Sequence, residues 1–62
     1  MQNAHALFKR VYQESASIEI CIAELKRYGY SYLETIRVLM DVAAIDLVRA
    51  DYLVMNSVAW YN

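Results

Sequence analysis

A chain of 62 residues that is 60% hydrophobic, with a formal charge of −1 and one cysteine, has room for a single thin core, because a domain this short buries only about 60% of the surface its unfolded chain exposes. These figures exclude several classes at once: Cys21 has no disulfide partner, and apolar runs such as Val42 to Ile45 fall far short of the roughly 18 residues of a membrane span. Lys9, Arg10, Lys26, Arg27, Arg37 and Arg49 are scattered rather than gathered into the basic stripe of a phosphate-neutralising protein, so a nucleic-acid partner is disfavoured.

The first predicted helix covers about residues 4–28. Leu7, Phe8 and Val11 open its apolar pattern, and Ile18, Cys21, Ile22, Leu25 and Tyr28 continue it at three- and four-residue steps. Ser15 and Ser17 offer caps for a fresh start, so one long helix and a helix broken near 15–17 are both allowed. Lys26 and Arg27 favour the negative end of the helix dipole, and Gly29 suits the left-handed position just past a helix. Ser31-Tyr32-Leu33-Glu34 is a capping box that starts a second helix, about 32–44. Its predicted core stripe is Leu33, Ile36, Met40 and Ala43, with Val38 and Val42 as a second apolar edge and an Arg37–Asp41 pair across one turn. Asp46 caps a third helix, about 47–57, whose apolar residues are Leu47, Ala50, Leu53, Val54 and Val58. A short aromatic tail with Trp60 and Tyr61 either folds back onto the body or faces a partner. The predicted fold is therefore a single all-α domain, a small helical hairpin or three-helix unit. Its apolar content exceeds the roughly 45–50% of ordinary soluble domains, so completion by dimerisation is expected.

Residues 32–55 resemble the helical hairpin in the C-terminal domain of the ribosomal stalk protein L7/L12 family. The resemblance is carried by Ile36, Arg37, Leu39, Asp41, Ile45, Leu47, Ala50, Leu53 and Val54. It implies a tight hairpin. The family's turn glycines fall at Ala44 and Asp46, and its factor-binding lysines at Val48 and Asp51, so what carries over is packing rather than stalk function.

Candidate chemistry is sparse. A His5–Cys21 thiolate–imidazole pair is conceivable, but Cys21 lies in the apolar stripe, where free cysteine acts as a small hydrophobe. Glu14, Glu19 and Glu24, and Asp41, Asp46 and Asp51, recur five apart, which spreads them around a helix instead of converging them on a metal or substrate. No catalysis, cofactor or metal is expected. The second and third helices have the outline of a DNA-binding helix-turn-helix with Arg49 and Asn56 facing bases, but Asp46 and Asp51 would repel phosphate at its entry. The six tyrosines and Trp60 are the most informative feature, since large aromatic rings dominate binding hot spots; the alternative is that they roof the small core.

The sequence thus predicts a non-catalytic protein–protein interaction module, a homodimer that blocks a macromolecular partner as a small inhibitor, immunity-type or antitoxin-like protein. A DNA-binding regulator and an assembly adaptor are the alternatives. Candidate partner-binding residues are Tyr30, Tyr32, Tyr52, Trp60 and Tyr61 as anchors, with Arg27, Arg37 and Asp41 at the rim. The start Met-Gln-Asn-Ala-His lacks the pattern of a secretory signal, which sets a cytoplasmic expectation.

Overall fold

The computed structural model describes residues 3–61. Four helices occupy them, α1 (Ala4–Ser15), α2 (Ile18–Arg27), α3 (Tyr32–Val42) and α4 (Leu47–Met55), and no strand occurs among the described residues. The predicted first helix is two helices. Ala16 takes a left-handed conformation (φ 54°) and its N–H closes on the Tyr12 carbonyl, ending α1. The Ser17 hydroxyl accepts from the Ile20 N–H at 3.2 Å and starts α2. Ser15 locks the corner: its hydroxyl donates to the Val11 carbonyl at 2.8 Å and accepts from the Ser17 N–H at 3.2 Å. The two serines thus favour the broken form, because they satisfy locally the backbone groups that a helix end leaves unpaired.

The other boundaries follow from the same chemistry. Gly29 (φ +90°) closes α2 in a Schellman motif, its N–H on the Lys26 carbonyl at 3.0 Å and the Tyr30 N–H on the Leu25 carbonyl at 3.1 Å. Ser31 and Glu34 form the full capping box on α3, and the Asp46 carboxylate accepts from the Arg49 N–H at 2.8 Å to cap α4.

The helices pair as two hairpins, α1–α2 and α3–α4, with α3 packed against all three others. Leu7, Phe8, Val11, Cys21, Ile22, Leu25, Ile36, Val38, Leu39, Ala50 and Val54 form the core. This corrects the register expected for α3. Leu33 and Met40, assigned to its core stripe, are exposed, while Thr35, Ile36, Val38 and Leu39 are buried. The cause is the central place of α3: it must fill the gaps toward α1, α2 and α4 together, so its buried arc is broad and centred near Thr35. That position reads as polar in the sequence, but its hydroxyl is satisfied by the Ser31 carbonyl at 2.9 Å. Tyr28, Leu47 and Val58 also leave the predicted core faces and are exposed. The radius of gyration, 10.3 Å, is close to the roughly 10.6 Å expected of a compact domain of this length.

Candidate protein interface

The eight residues expected to bind a partner fall into four places. Tyr32 and Trp60 meet at the first. Their rings are edge-to-face with centroids 5.3 Å apart, and the Tyr32 hydroxyl donates to the Asp51 carboxylate at 2.7 Å, pinning the start of α3 to α4. That hydrogen bond, then desolvation and the Asp51 charge, holds the Tyr32 phenol above the usual tyrosine range. The Lys26 ammonium lies 4.5 Å from the centre of the Trp60 ring and donates to the Ala59 carbonyl. The Val58 N–H donates to the Glu19 carboxylate at 2.7 Å. Residues 56–61 therefore fold back as a strap over α2 and α3. Ser57 is its pivot, a buried hydroxyl that donates to the Val54 carbonyl at 2.7 Å. Of the two tail aromatics only Tyr61 faces solvent, 72% exposed; Trp60 is half-buried against the core. The Trp60 indole N–H is buried without a hydrogen-bond partner.

Tyr30 and Arg37 line the second place, a cleft of about 380 Å³ between the start of α1 and α3 that also includes Asn3, His5, Glu34 and Val38. Asp41 does not pair with Arg37 as expected. It accepts from His5 Nε2 at 2.9 Å, tying the first turn of α1 to the last of α3. His5 thus ties the first turn of α1 into the body of the fold. Glu34 is held below the usual carboxylate range, first by the Ser31 backbone N–H and then by the Ser31 hydroxyl. Arg27 stands apart at the end of α2, paired with Glu24 at 3.1 Å and lying over the Tyr28 ring.

Tyr52 marks the fourth place, the outer face of α4. Val48, Tyr52 and Met55, spaced i, i+4 and i+7, form a continuous stripe on the side opposite the buried Ala50 and Val54. Val48 is 78% and Tyr52 57% exposed. The signal for this face is present in the sequence as a second apolar stripe at helical spacing, opposite the one that packs inward. On α3 the exposed Leu33 and Met40 are likewise seven apart. The Tyr32–Asp51 bond fixes which side of α3 meets α4, and Leu33 and Met40 border that side.

Reactive groups are few. Cys21 is fully buried, its Sγ donates to the Phe8 carbonyl at 3.6 Å, and burial pushes the thiol up to about 11. His5 is instead engaged by Asp41. Among the described residues no three His, Cys, Asp or Glu side chains converge, and no helix is long and apolar enough to cross a membrane. No protein-family model, curated protein or solved structure matches the chain. The geometry of its surfaces therefore carries the functional argument.

Proposed function

We propose that this chain is a non-catalytic protein–protein interaction module that works by pressing the outer face of its α3–α4 hairpin against another protein. The supporting observation is the exposure of Leu33, Met40, Val48, Tyr52 and Met55 on helices whose opposite sides already bury a complete core. Large apolar side chains gathered on one face, rather than scattered singly, are the mark of an interaction surface. A small inhibitor, an immunity-type or antitoxin-like protein that blocks a macromolecule, and an assembly adaptor all suit such a face, in a cytoplasmic setting and as a homodimer. Of the expected anchors, Tyr52 and Tyr61 fit best, because they reach solvent. Tyr32 and Trp60 serve the fold first.

The test is site-specific photo-crosslinking in cells. A photoreactive residue in place of Val48 should give a discrete cross-linked product, and the same residue in place of Lys9, on exposed α1, should not. Equal or absent cross-linking at both positions would count against the proposal.

A DNA-binding regulator is the second reading, favoured by the four-residue connection 43–46 between α3 and α4 and by the exposure of Arg49 and Asn56. Against it, the Asp46 carboxylate accepts from the Arg49 N–H in the first turn of α4 and places a negative charge where a phosphate would approach. Salt-sensitive binding of a mixed-sequence duplex in fluorescence anisotropy would revive this reading.

A further inference from the structure

We infer that residues 58–61 are a releasable strap, latched by Glu19 and Lys26, which swings off α2 and α3 about Ser57 while the four helices stay folded. Release uncovers the rings of Trp60 and Tyr32, two expected anchors that the closed fold withholds. Their use by a partner rests on the interaction-module reading; the release itself does not.

The hinge is set by which bonds stay local. Ser57 is 1% exposed and its hydroxyl donates to the Val54 carbonyl, so it belongs to the end of α4. Beyond it, the amides of Trp60 and Tyr61 turn back onto the Ser57 carbonyl at 3.2 and 2.8 Å. These bonds close a turn without reaching another helix, so the turn can move as a unit. Tyr32 stays in place when it does, because its hydroxyl is bonded to Asp51 of α4.

The ties to the body are of a kind that water replaces readily. The Glu19 carboxylate accepts from the Val58 N–H at 2.7 Å, and the Lys26 ammonium donates to the Ala59 carbonyl and lies over the Trp60 ring. Glu19 and Lys26, at i and i+7 of α2, are both exposed, and charged contacts at exposed positions are weak and screened by salt. Val58 and Tyr61 are 83% and 72% exposed, so the apolar hold on the strap comes from Ala59 and Trp60. A segment with few buried contacts and exposed hydrogen bonds opens locally, at a cost well below that of global unfolding.

Closure also strands a donor. The Trp60 indole N–H is buried without a hydrogen-bond partner, a penalty confined to the closed form, since water pairs with the group once the strap lifts. The edge-to-face contact with Tyr32, centroids 5.3 Å apart, opposes that penalty and keeps the closed form dominant.

The test is hydrogen exchange by NMR at the Trp60 indole N–H, a single signal because the chain has one tryptophan. It is compared with the backbone amide of the fully buried Leu39. After correction for intrinsic rates, indole protection is expected to be on the order of a hundredfold below that of Leu39 and insensitive to urea below the unfolding transition, the sign of local opening. Glu19→Gln combined with Lys26→Met should raise indole exchange about fivefold and leave Leu39 unchanged. Equal protection and equal urea dependence at the two sites in the wild type would overturn the inference, because the strap would then unfold only with the core. Indole exchange unchanged in the double variant, or raised together with that of Leu39, would overturn it as well, since the latch would be absent or part of the global fold. None of these outcomes bears on the cross-linking expected at Val48, so failure of the release and failure of the interaction-module reading are told apart.

Discussion

Among the described residues three carry the left-handed backbone that shapes the chain, and only one of them is glycine. Ala16 (φ 54°) and Ala44 (φ 55°) stand at the ends of α1 and α3 in a conformation that costs an L-residue with a Cβ about 1 kcal/mol. Ala16→Gly and Ala44→Gly should therefore each raise the urea midpoint slightly, with a gain of at most about 0.5 kcal/mol once the extra freedom of unfolded glycine is set against the relief. Gly29→Ala should do the reverse and cost about 1 kcal/mol. Nothing lies within 4 Å of the added Cβ, so the loss is backbone strain alone. Tyr32 gives a pH-dependent case. Its folded phenol is held above the ordinary value, so the stabilisation from its bond to Asp51 is present in full below the unfolded pKa near 10 and is lost as pH rises through the folded value. Tyr32→Phe should cost about 1 kcal/mol at pH 7. That gap between variant and wild type should close in denaturant melts taken above pH 10.

At the scale of elements, α3 decides how the molecule is assembled, because it packs against each of the other three helices. Leu39, fully buried, should cost about 3 kcal/mol when cut to alanine. Leu33→Gln and Met40→Gln should stay within about 0.5 kcal/mol by the same chemical melts, run at a concentration low enough to keep the chain monomeric. The opposite ranking would mean that α3 is rotated. The caps, by contrast, are legible in the sequence: Ser31 with Glu34, Asp46, and Gly29 act where their spacing places them, since a cap depends on groups within three or four residues of itself. The break at Ala16 and Ser17 is legible only as an alternative, because Ser15 and Ser17 fit a cap and a solvated helix face equally well.

At the scale of the whole molecule, the strap of residues 56–61 is the feature that links the ends of the fold. It is held by Glu19 and Lys26 of α2 and by Tyr32 of α3, and its indole N–H makes no hydrogen bond. Trp60→Ala should cost about 2 kcal/mol, less than a fully buried tryptophan. Trp60→Phe should cost under half of that, because it keeps a ring against Tyr32 and removes the stranded donor. The His5–Asp41 bond also spans the molecule, but the two side chains are 47% and 64% exposed, so Asp41→Asn should change thermal stability by under about 1 kcal/mol.

What the sequence determined by itself was local: an all-helical chain, the punctuation at Gly29, Ser31 and Asp46, and the apolar identity of most core positions, all set by periodicity and by bonds between near neighbours. The tertiary structure alone decided which apolar stripe of α3 turned inward. That helix carries two such stripes, and the packing of three neighbours around it chose Thr35, Ile36, Val38 and Leu39 over Leu33 and Met40. It also decided that Trp60 would roof the core and Tyr61 would not, and that Asp41 would answer to His5 rather than to Arg37. Those contacts join residues 28 to 36 positions apart, beyond the reach of any local rule. The side chains left outside, Leu33 and Met40 on α3 and Val48, Tyr52 and Met55 on α4, are those on which function is proposed to rest.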